Sequence, residues 1–163
     1  KKKGENKMRI NEYRTIINKN NQLTELIKER GTNYKAKNDG LTSPREIAHM
    51  MVDLYQLDIQ AEEYVYMIAF DTKQKPLGVF EISHGTVNAS VLNPREVYLK
   101  ALLVGAVNIV LLHNHPSGDT SPSRADIQST KRTREAGEML GIKLIDHIII
   151  GDDYLSFAEE SYL

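Results

Sequence analysis

The chain has 163 residues, 40% of them apolar and 26% charged, a size and balance that suit one globular domain with a full hydrophobic core. It holds no cysteine, so disulfide scaffolds, cysteine zinc sites and thiol catalysis are excluded, and any metal must be held by nitrogen and oxygen. No apolar run approaches the roughly 18 residues that span a bilayer, and no apolar segment follows the basic start as it would in a secretory signal, so a cytoplasmic protein without a membrane partner is expected.

Net charge is −1, but residues 1–40 hold 11 Lys or Arg against 5 Asp or Glu, leaving 10 against 17 in the remainder. This stretch is read as a basic N-terminal extension, a solvated and partly disordered lead-in to a domain over residues 41–163. The sharper alternative is an arm for nucleic acid, although two Tyr and no Phe or Trp offer little for base stacking. Within it, Leu23 to Tyr34 fits neither helical nor strand periodicity cleanly, and Gly31 interrupts both.

Beyond residue 40 the boundaries are sharp. Ser43-Pro44-Arg45-Glu46 places a capping oxygen, a proline at the first helical position and an acid at the third, which predicts a helix from Pro44 to Gln56. Two β-rich runs follow, Tyr64 to Asp71 and Leu77 to His84, joined by a loop over Asp71 to Pro76 that makes them antiparallel neighbours. Asn93-Pro94-Arg95-Glu96 starts a second helix to Val104. A strand from Asn108 to His113 comes next, then Ser123-Arg124-Ala125-Asp126 opens a third helix to Leu140. Gly141 ends that helix, the Ile-rich strand Lys143 to Ile150 follows, and a short strand near Tyr154 to Phe157 closes the chain. The order predicts an α/β fold: a mixed β-sheet flanked by helices.

Ligand chemistry and spacing coincide at His113-Asn114-His115. Residues i and i+2 of a strand project to one face, so two imidazoles can converge on one ion while Asn114 points away. The loop Pro116 to Pro122 then turns the chain so that the next helix presents Asp126 from its first turn. Two imidazoles and a carboxylate are a sufficient protein donor set for catalytic zinc, which keeps a position for water. Each residue also has an ordinary explanation, Ser123 with Asp126 as a capping box and each His as a surface or hydrogen-bonded residue, and only the combination favours a metal. Hydrolysis needs a base as well, and Glu81 is the candidate because it interrupts the apolar run Leu77 to Ile82. His84, Asp146 and His147 lie on or beside strands, where hydrogen-bonded structural roles are expected ahead of roles behind the ligands.

The residues GVFEISHGT (Gly78 to Thr86), NPREV (Asn93 to Val97), HNHPSGDTSPSRAD (His113 to Asp126) and LIDHIIIG (Leu144 to Gly151) resemble the RadC-type branch of the JAMM (MPN+) metalloproteases. The family signature, a glutamate upstream of His-x-His-x7-Ser-x2-Asp, is matched by Glu81, His113, His115, Ser123 and Asp126. The resemblance implies a cytidine-deaminase-like (JAB/MPN) fold in which His113, His115 and Asp126 bind one Zn2+ with a water. It further implies that Glu81 acts as general base and later proton donor, that Ser123 helps hold the oxyanion, and that a protein or peptide is the substrate. RadC-like proteins of full length carry a helix-hairpin-helix segment ahead of this domain; the first 40 residues lack its glycine-bearing hairpin, so a short form without that DNA-binding module is expected. The alternative to a zinc-dependent peptidase or isopeptidase is a DNA-associated repair or mobile-element accessory protein with a vestigial metal site. A nucleotide deaminase is excluded by the missing cysteines, and His-Asn-His is not an HNH nuclease motif, which is dispersed over a longer unit. The oligomeric state is left open, a homodimer included.

Overall fold

A computed structural model of the chain describes residues 7–36, 41–85 and 92–163. The ends of the basic extension, residues 1–6 and 37–40, and Thr86 of the GVFEISHGT block lie outside the described residues. The elements are β1 (Lys7–Ile17), β2 (Thr24–Lys35), α1 (Pro44–Tyr55), β3 (Glu63–Phe70), β4 (Pro76–Gly85), α2 (Pro94–Val104), β5 (Asn108–Asn114), α3 (Arg124–Leu140), β6 (Lys143–Ile150) and β7 (Tyr154–Ser156). They form one mixed seven-stranded sheet in the order β2-β1-β4-β3-β5-β6-β7. Pairing is antiparallel between β3 and β4, between β3 and β5 and between β6 and β7, and parallel between β5 and β6. The expected α/β fold with a mixed sheet flanked by helices is what the chain adopts.

Each helix starts where its cap predicts. The Ser43 side chain accepts from Glu46 N, the Asn93 side chain from Arg95 N, and Ser123 and Asp126 form a reciprocal capping box. Gly105 and Gly141 end α2 and α3 in the left-handed conformation that glycine adopts without steric cost.

Strand alternation sorts the apolar residues into two cores. Tyr66, Ile68, Val79, Val110, Leu112 and Ile148 pack with Ile47, Met50 and Met51 of α1 on one face. Val65, Met67, Phe80, Ile109 and Leu111 pack with Val97, Tyr98 and Ala101 of α2 on the other, where α3 also lies. Central β5 is buried at every residue, which is why its apolar run does not alternate. Gly137 lets α3 approach closely, since a Cβ there would meet the Tyr98 hydroxyl and the Ile142 carbonyl oxygen.

Residues 7–35 depart from the expected solvated lead-in. They form an antiparallel hairpin whose first strand joins β4 in parallel at Glu12↔Val79. Ile10 and Tyr34 of the hairpin are buried in the α1-side core. Gly31 does not break β2, because it pairs with Asn11 while a register shift at Glu12/Tyr13 takes up the irregularity. Among the cations of the hairpin, Arg14 pairs with Glu29 at 3.4 Å and Arg30 with Glu12 at 2.9 Å. No helix among the described residues is long and apolar enough to cross a membrane.

Candidate metal centre

The three expected ligands converge at the C-terminal edge of β5. One donor atom each of His113, His115 and Asp126 lies within 4.8 Å of the others. His113 and His115 Nε2 are 3.0 Å apart, while Asp126 Oδ1 lies 3.5 Å from His113 Nε2 and Oδ2 lies 3.6 Å from His115 Nε2. These carboxylate contacts are too long for good hydrogen bonds and leave the space between the three donors open to a cation.

Local structure aims each ligand. His113 belongs to the register pair Val65↔His113, on the α2/α3 face. The loop after His115 curls back so that Asp119 O accepts from His115 Nδ1 at 2.6 Å, which leaves the lone pair of that ring on Nε2. Gly118, at φ +83°, lets the loop pass Asp152, whose carboxylate a Cβ would meet at 2.6 Å. The Ser123 capping box fixes Asp126: Ser123 N donates to Asp126 Oδ2 at 2.8 Å and Asp126 N donates to Ser123 Oγ at 3.1 Å. Capping and ligand placement are thus one device.

The electrostatics suit a cation. Burial pushes the His113 imidazole down to about 4, so it is neutral near pH 7 with a lone pair to offer. The facing Asp126 carboxylate raises His115, so without a metal a proton competes for that site. Burial alone would raise Asp126, but the His115 side chain and the Ser123 hydrogen bonds bring it well below the usual carboxylate range. An anionic carboxylate between two imidazole nitrogens fits a divalent ion of the zinc class.

Asn114, between the two histidines, faces the other way and is 1% exposed. Its Oδ1 accepts from Tyr64 N at 2.8 Å and its Nδ2 donates to Glu62 O at 3.0 Å. The residue held between those two bonds is Glu63. Glu63 is 6% exposed and two residues from Val65, so its side chain shares the face of His113. Its charge also contributes to the upward shift of His115.

Glu81 sits elsewhere. Phe80 and Ile82 both pack on the α2 side, so Glu81 between them faces α1, and its register partner Tyr66 belongs to the α1-side core. A register shift at Val65/Tyr66 accompanies this arrangement. Its side chain is 41% exposed and lies 2.6 Å from His84 Nδ1, and the His84 ring stacks on Tyr64 at 5.3 Å. The structure therefore brings together His113, His115, Asp126 and Ser123 but leaves Glu81 on the opposite face. Glu63 is not among the residues expected at the site, because Glu62-Glu63 reads as the polar boundary of an apolar strand. The available signal was parity: Glu63 alternates with Val65 and Met67. A cleft of about 640 Å³ on the α1 side, lined by Glu12, Arg30, Tyr55 and Tyr66, contains none of the three ligands.

The model of the RadC-like JAB domain matches residues 41–162. The chain belongs to this family. A UPF0758 protein of Clostridium acetobutylicum is 44% identical over 124 residues, covering 76% of this chain and 53% of the relative. UPF0758 proteins of Pelobacter propionicus and Staphylococcus haemolyticus are 42% identical over 126 residues and 41% over 142, covering 77% and 86% of this chain and 54% and 60% of those relatives. The chain spans about half the length of the first two relatives. The β1-β2 hairpin lies outside the segment matched by the RadC-like JAB model.

Proposed function

We infer that this RadC-like JAB domain is a zinc-dependent hydrolase of peptide or isopeptide bonds. The observation that carries this reading is the convergence of two imidazole nitrogens and a carboxylate within 4.8 Å on the sheet face that also bears buried Glu63. A zinc ion held by His113, His115 and Asp126 supplies Lewis-acid polarisation and an acidified water.

The chain's own groups supply the rest. Glu63, in place of Glu81, accepts the proton of the attacking water and returns it to the leaving amine, a role that suits a carboxylate held out of solvent on the face of the ligands. The Asn114 bonds to Glu62 and Tyr64 keep the backbone of Glu63 in register with both histidines. Ser123 accepts from Asp126 N, and its hydroxyl proton is the one it would donate to an oxyanion formed beside Asp126. The nucleic-acid alternative is not favoured: Arg14 and Arg30 of the basic segment are tied to Glu29 and Glu12 within a hairpin.

The test has two parts. Purified protein should bind one zinc, and His113→Ala and Asp126→Ala should each abolish that binding; undiminished zinc in both variants would sink the ligand set. With zinc bound, hydrolysis of a panel of fluorogenic peptides and isopeptide-linked peptides should vanish in Glu63→Gln and survive in Glu81→Gln. The reverse pattern would return the base to Glu81.

A further inference from the structure

Behind His113 runs a chain of hydrogen bonds that coordination and proton transfer leave unused. His113 Nδ1 lies 2.8 Å from His147 Nε2, His147 Nδ1 lies 2.6 Å from Thr130 Oγ1, and Thr130 Oγ1 lies 2.6 Å from the carbonyl oxygen of Asp126. His147 is 2% exposed and Thr130 1%, so bulk water cannot replace any link.

Only one direction gives each of these three contacts its proton. A carbonyl oxygen only accepts, so the single hydroxyl proton of Thr130 goes to Asp126 O. Thr130 Oγ1 must then accept from His147, whose proton is on Nδ1. A neutral imidazole has one N–H, so His147 Nε2 carries the lone pair and accepts from His113 Nδ1–H. His113 is left with its lone pair on Nε2, 3.0 Å from His115 Nε2.

We propose that His147 and Thr130 are positioning residues: a one-way relay, anchored on the peptide carbonyl of Asp126, that fixes His113 in the Nδ1–H tautomer with its Nε2 lone pair aimed into the metal site. The relay starts at a ligand on β5 and ends on the backbone of the ligand on α3, so it also ties those two elements together. His147 is itself immobilised: Phe157 N donates to its carbonyl at 2.9 Å, and the Phe157 ring lies 4.9 Å from the imidazole. The neighbouring Asp146 carboxylate takes the His147 N–H at 2.7 Å together with Ser156 Oγ at 2.6 Å and Ala158 N at 3.0 Å, which staples the C-terminal segment across β6. Hydrogen bonding to the outer nitrogen of a ligating imidazole fixes its orientation and raises its basicity.

The relay is independent of the identity of the base, and its metal consequence rests on the zinc reading above. Long-range 15N–1H correlation spectra of the metal-free protein at pH 7.5 should place the protons of His113 and His147 on Nδ1; a proton on His113 Nε2 would overturn the proposal without any metal experiment. Zinc titrated against a competing chelator should bind Thr130→Val and His147→Leu about 10- to 100-fold more weakly than wild type. Thr130→Ser and His147→Gln, whose side chains can reproduce the donor-acceptor order, should restore most of the affinity. Equal zinc affinity in wild type, Thr130→Val and His147→Leu would overturn the relay while leaving the ligand set intact, whereas retained zinc in His113→Ala would overturn the ligand set itself. The Co2+-substituted protein gives a second readout, because its visible spectrum should change in Thr130→Val and return in Thr130→Ser; an unchanged spectrum in Thr130→Val would count against a positioning role.

Discussion

The two faces of the sheet carry two carboxylate–histidine groups of opposite character within the same few strands. On the α1 face, Glu81 and His84 make a 2.6 Å pair that is 41% and 54% exposed. On the α2/α3 face, Glu63 and His113 are buried, His115 and Asp126 are partly buried, and the closest contact among the three donors is 3.0 Å between two imidazole nitrogens. On the proposed function, the shorter contact marks the less consequential site. An exposed pair is screened by water and adds little, whereas lone pairs facing one another in a low-dielectric pocket are unfavourable until a cation arrives. Direction and burial separate the two sites; proximity does not.

That contrast can be broken by experiment. The largest effect should come from Glu63→Gln, which should lower turnover of the zinc-loaded enzyme by about 10²- to 10⁴-fold with zinc retained. Steady-state kinetics beside metal analysis checks this, and an unimpaired variant would remove the distinction between the faces. Asn114→Ala should come next. It leaves Tyr64 N–H and Glu62 C=O without their buried partner, at a cost of about 1–3 kcal/mol read from urea denaturation, and it should lower turnover more than zinc affinity.

The pH dependence sharpens the same contrast. His113 and His147 are depressed by burial, so in the metal-free protein the unfolded chain binds more protons than the native state below about pH 6.5. Their combined effect is a loss of stability as pH falls from about 6.5 toward the His113 value of about 4. The raised His115 has the opposite sign: its stabilisation is fully present below about pH 6.5 and is lost as pH rises through its folded value. Denaturation midpoints of the metal-free protein should therefore fall on acidification, less steeply in His113→Gln; a rise would contradict the assignment. Zinc affinity should fall on acidification too, because a proton on His115 competes with the ion. The smallest effect should be that of Glu81→Gln, with turnover within about twofold of wild type and an unchanged melting temperature.

How much of this was legible in the sequence depended on whether the signal was local. Ser43-Pro44, Asn93-Pro94 and Ser123 with Asp126 mark helix starts through bonds made within three residues, and those starts are where the structure has them. His113 and His115 were legible because strand alternation alone puts them on one face. Glu63 was not, because its relation to His113 depends on the register Val65↔His113 between strands nearly 50 residues apart. Glu81 stands out in the sequence as a charge in an apolar run, yet an acid between Phe80 and Ile82 of the α2-side core faces the α1 side. The β1-β2 hairpin was obscured by its charged cross-strand pairs and by a register shift that breaks simple alternation. His147 sits in a strand where histidine is ordinarily structural, and only its contacts with His113 and Thr130 give it a direction.

The most direct test of the metal centre is X-ray absorption of the zinc-loaded protein. The predicted spectrum has two imidazole nitrogens with oxygen completing the sphere, all at about 2.0–2.2 Å, and one imidazole fewer in His115→Ala. A sphere with no histidine, or one indifferent to His115→Ala, would contradict a centre built on His113, His115 and Asp126.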